Sequence, residues 1–457
     1  MRTTIDRREL RSTMRATLLR AILRRRILEP ADDAIAPAVA GNAGWRTARG
    51  AGRGAAVWLA ALVVGVIAGG CVAPALAATD GVRPDATAAA LEALRERQRV
   101  PALGAARFTA DTIESLHVVG RRVADGASDD PEAALQPDDA WHLGSCTKSM
   151  TATLLALLVE RGDLRWEAPL AQLLPACAST MHAAFRELTL VELLAHRAGL
   201  AAMTGPDPLF VKYATQTGTP PALRAAFTQE LLAAPPGHPP RGAMVYSNAG
   251  FVVAGHVAEV VGRKRWEELI EELLFAPLGM TTAGFGAPGE PDELAAPRGH
   301  LEGAVVEPGP GSDNPAFLGP AGTVHASLAD WIKYLQLHLR GVRGDVKVGA
   351  VTLKQATFAR LRTAWRVPAA GGGVAAAADA NAYGYGWLLP HRDWAAGDKL
   401  VLTHTGSNGM WFCCAWLDPA GGYGLVATTN TGSPNAAAAT DGAVALLLQQ
   451  RAAATKR

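Results

Sequence analysis

The spacing of apolar residues divides this chain of 457 residues into strand-like ends and a helical middle. Amphipathic helices are predicted over 84–99 and 436–450, and helical patterns dominate from Ser145 to about Leu339. Alternating patterns predict short strands, which are 102–122, 384–389, 399–403, 410–416 and 423–429. We therefore expect an α/β (α+β) fold in which a sheet built from about 100–135 and 380–430 lies beside a helical lobe of about 145–340.

Composition separates residues 1–77 from the rest of the chain. They carry twelve Arg, no Lys and five acidic residues, a net charge of +7. The other 32 basic and 37 acidic side chains leave −5 for residues 78–457, which we expect to form one domain. An acidic domain argues against nucleic acid as a partner.

The end of the basic segment has the features of an export signal. Ala55–Ala68 is strongly apolar and follows three arginines, and Ala75-Leu76-Ala77 before Ala78 has the small-x-small form of a cleavage site. The alternatives are a retained membrane anchor and lipid attachment at Cys71. We expect a periplasmic or extracellular protein, with membrane attachment through the N-terminal segment as the alternative; the sequence does not indicate an oligomeric state.

Metal and cofactor chemistry receives no support from the sequence. The eleven histidines are scattered without a His-Glu-x-x-His pair, and the five cysteines show neither a Cys-x-x-Cys pair nor a disulfide framework. We therefore predict no metal and no cofactor.

A candidate nucleophile lies at the start of the first helix of the lobe. Met150, Leu154 and Leu157 form one apolar stripe, which places Ser145 near a helix N-terminus. Lys148 follows three residues later on the same face, so its amine can reach the serine hydroxyl. Burial lowers the pKa of a lysine, which then takes the serine proton. Backbone N–H groups at the helix start would stabilise an oxyanion.

A second polar group follows about a hundred residues later, where Tyr246-Ser247-Asn248 joins a loop to the predicted helix 251–261. A hydroxyl of Tyr246 facing a lysine ammonium would have a lowered pKa and could shuttle protons. The amide of Asn248 would hold either a substrate carbonyl or the lysine.

A third group, His404-Thr405-Gly406-Ser407, leaves a strand pattern near the C-terminus. Glycine at 406 lets a substrate backbone lie against the strand edge. The N–H of Ser407 could then face the same oxyanion as the N–H of Ser145.

Together, Ser145-x-x-Lys148, Tyr246-Ser247-Asn248 and His404-Thr405-Gly406 resemble the serine hydrolase family of class C β-lactamases, D-Ala-D-Ala carboxypeptidases and related esterases. The resemblance extends over most of residues 85–450 and includes the stretch 188–200. It implies a β-lactamase/transpeptidase-like fold, with a helix-flanked antiparallel sheet beside a helical lobe. It also implies an acyl-enzyme on Ser145, with Lys148 and Tyr246 relaying protons.

One departure from the family pattern bears on specificity, and two other features have competing interpretations. Most β-lactamases of the family have lysine where His404 stands, and a neutral histidine in a solvent-open cleft offers less to a carboxylate. His404 is therefore more similar to the D-peptidases and esterases. Ser312-Asp313-Asn314 is a rival for the second group, disfavoured by its place in a Gly/Pro-rich loop. His196 is expected to be a buried structural residue.

Two functions remain open at this stage. The first is an exported serine hydrolase that cleaves an ester, a D-amino-acid peptide or amide, or a β-lactam, with a small molecule or peptide as substrate. The second is a catalytically silent penicillin-binding-type module that binds or senses a ligand. Retention of serine, lysine and tyrosine together favours the enzyme.

Overall fold

The computed structural model describes residues 86–124, 131–204, 207–309, 311–365 and 382–455. The predicted leader, 1–77, including Cys71, lies outside the described residues. The strands are β1 Ala102–Thr109, β2 Ile113–Gly120, β3 Ala140–His142, β4 Gly284–Phe285, β5 Gly299–Leu301, β6 Ala304–Val306, β7 Val324–Ser327, β8 Val346–Val348, β9 Val351–Leu353, β10 Leu402–Ser407, β11 Phe412–Asp418 and β12 Tyr423–Thr429.

Helices occupy both ends of the described chain and most of its middle. The α-helices are Ala86–Gln98, Thr147–Glu160, Leu170–Leu173, Ala183–Arg186, Leu190–Leu194, Pro208–Thr215, Pro220–Ala233, Asn248–Gly262, Trp266–Ile270, Ala276–Leu278, Gly319–Gly322, Leu328–Arg343, Gln355–Leu361 and Asn435–Thr455, with a π-helical turn at Glu271–Phe275.

The main sheet is antiparallel and joins the two ends of the chain, as the sequence predicts. Its strand order is β10-β11-β12-β1-β2, so β1 pairs with β2 on one side and with β12 on the other. A smaller sheet, β3-β7-β4, lies where the chain enters the helical lobe. This arrangement confirms the expected fold class.

Helices cover both faces of the main sheet because successive residues of β1 point to opposite faces. Ala106 and Phe108 join the large core shared with the helical lobe. Leu103 and Ala105 instead pack with the first and last helices of the described chain in a second core, to which Leu447 also belongs. A strand buried on both faces carries apolar residues without alternation, which describes β1 well.

One of the predicted strands is wrong. Residues 384–389 make only isolated bridges, such as Tyr383 with Leu388 and Leu388 with Thr403. Gly386 explains the irregular backbone, because its φ is +81° and a Cβ on it would lie 2.6 Å from Ser149 Cα. The turn therefore packs directly on the helix Thr147–Glu160.

Candidate active site

The turn that carries Ser145 lies between β3 and the helix Thr147–Glu160. Ser145 is the central residue of a 3₁₀ turn, Gly144–Cys146, rather than the first residue of the α-helix. Gly144 has φ +46°, and a Cβ on it would lie 2.3 Å from the backbone nitrogen of Ser407. Only glycine allows the turn to approach β10 so closely.

Lys148 is fully buried and makes three polar contacts. Its Nζ lies 3.0 Å from Ser145 Oγ, 2.7 Å from Asn248 Oδ1 and 2.7 Å from the carbonyl oxygen of Ala321. Burial lowers the pKa of Lys148 well below its ordinary value, against a smaller opposing effect of Cys146. The lysine is thus biased toward the neutral amine.

The contacts of the neutral amine determine where its lone pair points. A neutral amine has two N–H bonds, and the oxygens of Asn248 and Ala321 can only accept hydrogen bonds. Both N–H bonds are used on these two oxygens. In that protonation state the lone pair is left for Ser145 Oγ, the third contact of Nζ, which can then donate its proton to it.

Asn248 is oriented by the loop that precedes its own helix. The Asn248 Nδ2 donates to the carbonyl of Met203 at 2.9 Å, and its backbone N–H donates to the carbonyl of Ala202. The side-chain oxygen is thereby left facing Lys148. Of the two roles expected for this amide, the structure shows the contact with the lysine.

Tyr246 lies over the lysine and contacts the serine. Lys148 Nζ is 4.9 Å from the ring centroid, and the tyrosine hydroxyl shares a hydrogen bond with the Ser145 side chain. Burial raises the pKa of Tyr246, although the hydrogen bond to Ser145 opposes this effect. The expectation of a lowered tyrosine pKa is therefore wrong, because burial dominates and the neighbouring lysine is itself biased toward neutrality.

The third group, His404 to Ser407, lies within β10 and forms its last four residues, which press against the turn that carries Ser145. A Cβ on Gly406 would lie 2.0 Å from the carbonyl oxygen of Leu143 and 2.9 Å from the backbone nitrogen of Ser145. Thr405 is half-buried and Ser407 is exposed at the end of the strand. The backbone nitrogens of Ser145 and Ser407 therefore lie on two segments in direct contact.

His404 lies deeper than the sequence suggested. His404 is 1% exposed. Burial is the main cause that lowers the pKa of its imidazole to about 3, and the nearby Lys148 contributes to this lowering. The ring nitrogens Nδ1 and Nε2 lie 2.5 Å from the carbonyl oxygen of Thr405 and 2.9 Å from the hydroxyl of Tyr383, respectively. The expectation of an ordinary histidine in a solvent-open cleft is wrong, although the imidazole is neutral as expected.

His196 is buried as expected, with its residue 3% exposed. Its Nδ1 accepts the N–H of Ser247 at 3.0 Å, and its ring centroid lies 4.4 Å from that of Tyr246 and 4.5 Å from that of Tyr383. Sequence reasoning did not assign His196 and Tyr383 to the surroundings of Tyr246. His196 belongs to the stretch 188–200, which carries part of the family resemblance and is the available sequence signal for it.

The rival triplet Ser312-Asp313-Asn314 does not take the place of Tyr246-Ser247-Asn248. Ser312 is buried and donates to the carbonyl of Gly309, and Asn314 Nδ2 donates to the carbonyl of Gly322. The asparagine that contacts Lys148 is Asn248.

Metal clusters and membrane-spanning helices are two other features that the described residues do not contain. They contain no group of three or more His, Cys, Asp or Glu residues placed to hold a metal ion. Across the same described ranges, no helix is long and apolar enough to cross a membrane.

Comparison with known proteins identifies the family. The β-lactamase family profile matches residues 87–450. The chain belongs to the β-lactamase family. Among the similar relatives of this β-lactamase-family protein is penicillin-binding protein 4 of Amycolatopsis lactamdurans, 28% identical over 350 residues that cover 75% of this chain and 84% of the relative.

Another relative and a solved structure extend the comparison. Esterase EstB of Burkholderia gladioli is 30% identical over 213 residues, which are 45% of this β-lactamase-family chain and 52% of the esterase. The structure of a class C β-lactamase from Rhodobacter sphaeroides matches with a TM-score of 0.60 at 21% identity, over 80% of this chain and 99% of the other. The structural match shows the shared fold, and the family is one of serine hydrolases.

Proposed function

We propose that this protein is an exported serine hydrolase that works through an acyl-enzyme on Ser145. The observation that carries the proposal is the set of three contacts of Lys148, which leaves the lone pair of a neutral amine for Ser145 Oγ. A desolvated lysine of lowered pKa is a suitable general base for a serine nucleophile.

The proposed reaction has two steps. Ser145 Oγ attacks the acyl carbon and its proton passes to Lys148, while the N–H groups of Ser145 and Ser407 stabilise the oxyanion. The leaving group departs with a proton delivered through the hydroxyl of Tyr246, and the acyl-enzyme forms. Water then attacks the acyl carbon and gives up a proton to the same amine, which returns a proton to Ser145 Oγ as the bond between that oxygen and the acyl carbon breaks.

The substrate is proposed to be an ester or an amide of a D-amino acid rather than a β-lactam. His404 is buried and neutral, with a pKa of about 3, so it offers no cation to a substrate carboxylate. The esterase among the relatives is in keeping with an ester substrate. Among short p-nitrophenyl esters, D-amino-acid amides and nitrocefin, we expect nitrocefin to be turned over most slowly.

The test is labelling with a fluorophosphonate followed by peptide mapping. The label should attach to Ser145, and Ser145→Ala should lower turnover by about 10³-fold or more. Ser149→Ala is the matched control, because Ser149 lies one turn along the same helix and donates to the carbonyl of Cys146 instead. A label on another serine refutes the assignment, and an unlabelled, folded protein supports the silent binding module.

Export is a separate part of the proposal and rests on the sequence of residues 1–77. Cells that produce the full chain should release a protein whose N-terminus is Ala78, as determined by fractionation and N-terminal sequencing. A lipid-modified Cys71 or a protein retained in the membrane with its leader would contradict cleavage before Ala78.

A further inference from the structure

The triplet Ser312-Asp313-Asn314 does not contact Lys148, but its Asp313 contacts residues next to the segments that carry Ser145 and Ser407. The side chain of Asp313 is only 10% exposed. Its Oδ1 lies 2.6 Å from His142 Nε2 and accepts a hydrogen bond from Asn408 Nδ2 at 3.2 Å. The backbone N–H of Asn314 donates to the same oxygen at 2.6 Å. One carboxylate oxygen thus contacts its own loop and two other segments of the chain.

The contact with His142 leads to the serine. His142 is the last residue of β3 and is fully buried. Its Nδ1 accepts the N–H of Gly144 at 3.1 Å, while its Nε2 is the atom that lies 2.6 Å from the carboxylate oxygen of Asp313. Gly144 directly precedes Ser145, so the hydrogen bond to His142 holds the peptide unit next to the one that contains the Ser145 N–H.

The contact with Asn408 connects Asp313 to the end of β10, which carries Ser407. Asn408 directly follows Ser407, the last residue of β10. Its Oδ1 accepts the N–H groups of Met410 and Trp411 at 3.1 and 3.2 Å, while its Nδ2 reaches Asp313. Asn408 therefore ties the end of β10 to the same carboxylate.

We infer that Asp313 is a positioning residue that holds both N–H groups of the oxyanion hole, acting on Ser145 through His142 and on Ser407 through Asn408. This inference rests on the proposed function, because it assigns Asp313 to the transition state of that reaction. Two N–H groups from distant segments stabilise an oxyanion only when their separation is fixed, and a common anchor fixes it without water to reorganise.

Two substitutions of Asp313 should slow inactivation by a fluorophosphonate to different extents. Loss of a whole oxyanion donor costs about 10²–10³-fold, and displacement of donors costs less, so Asp313→Ala should slow fluorophosphonate inactivation by about 10–100-fold. Asp313→Asn keeps an oxygen that accepts the same donors and should lose at most about tenfold. The loss should fall on the maximal inactivation rate, with the half-saturating concentration little changed, because the contact strengthens in the transition state.

His142→Asn tests one of the two connections alone. The asparagine oxygen takes the place of Nδ1 and still accepts the N–H of Gly144, but the side chain no longer reaches Asp313. His142→Asn should slow fluorophosphonate inactivation less than Asp313→Ala does. The double variant His142→Asn/Asp313→Ala should match Asp313→Ala, because both changes break the same connection.

Asp330→Asn is the matched control. Asp330 is another buried carboxylate, 3% exposed. It accepts hydrogen bonds from Thr282 and Lys333, and none of these residues belongs to the turn that carries Ser145. It should change the thermal unfolding midpoint without changing the inactivation rate. An Asp313→Ala protein that is folded and inactivated at the wild-type rate would overturn the inference, as would an equal slowing by Asp330→Asn.

A second measurement does not depend on catalysis. Hydrogen exchange followed by mass spectrometry should show faster exchange in Asp313→Ala over peptides 143–146 and 405–409, with the rest of the chain unchanged. Unchanged exchange in both peptides would refute the positioning role. If the wild-type protein resists the fluorophosphonate but the exchange result is as expected, the proposed function fails while the structural role of Asp313 stands.

Discussion

Replacing Tyr246 with phenylalanine separates the two groups that could take the proton of Ser145. The pKa of Tyr246 is raised above its ordinary value of 10.0 by burial. Ionising it at pH 7 therefore costs more than about 4 kcal/mol, at about 1.4 kcal/mol for each pH unit. Burial has the opposite effect on Lys148, since it favours the neutral amine. In the proposed mechanism Lys148 is therefore the base that costs less free energy to deprotonate, and the neutral Tyr246 is the group proposed to protonate the leaving group.

The assay compares two leaving groups with the same acyl group. A p-nitrophenolate leaves without a proton, so Tyr246→Phe should lower kcat/KM for a p-nitrophenyl ester by at most about tenfold. An ethyl ester needs protonation of its leaving group, and its kcat/KM should fall by about 10²–10⁴-fold, the usual contribution of general acid catalysis. The rise of kcat/KM with pH that reports deprotonation of Lys148 should persist in the variant.

Equal losses on both esters, together with disappearance of that pH dependence, would contradict a lysine base and indicate a tyrosinate base instead. Tyr334→Phe is the control for removing a buried hydroxyl. Tyr334 is fully buried, and its hydroxyl lies 2.9 Å from His338 Nε2 in the core, outside the contacts of Ser145 and Lys148 described above.

Three further predictions concern buried groups. Burial lowers the pKa of His338 to about 3, so the stability given by its neutral ring is lost as pH falls from 6.5 toward 3. The free energy of unfolding, measured in urea, should therefore fall between pH 7 and pH 5. His338→Gln should make that fall smaller by about 2 kcal/mol. The low pKa of His404 predicts that the calorimetric affinity of a carboxylate inhibitor shows no imidazole titration between pH 6 and 8, whereas a step near pH 6.5 would contradict the burial. Thr189 caps the helix Leu190–Leu194 in a capping box, and Thr189→Ala should lower the unfolding free energy by about 1 kcal/mol without changing kcat/KM.

The sequence predicted the parts of the fold that depend on local periodicity. Tyr423–Thr429 is a strand, and the helix starting near 436 begins at Asn435. The fold class followed from strands at both ends of the chain. In contrast, the strand expected over 384–389 is irregular because Gly386 packs against a distant helix, which no local pattern reveals.

The sequence predicted which residues make up the candidate site, but it did not predict their pKa directions. The spacing of Ser145 and Lys148 follows from one helical turn, but the carbonyl of Ala321 that completes the lysine environment is a backbone group without a sequence signal. The pKa directions of Tyr246 and His404 depend on depth below the surface. Depth is produced by the packing of the whole chain, so the sequence motifs could not supply it.

The pairing of β1 with β12 has a consequence for biosynthesis. Thr429 Oγ1 donates to the carbonyl oxygen of Ala102, 327 residues away along the chain. A ribosome must therefore release nearly the whole polypeptide before the main sheet closes, and contacts of such long range form slowly. The two segments that approach each other at Gly144 and Gly406 also meet only then. A nascent or truncated chain would carry Ser145 without its partner strand, so premature termination should yield polypeptides that do not react with acyl substrates.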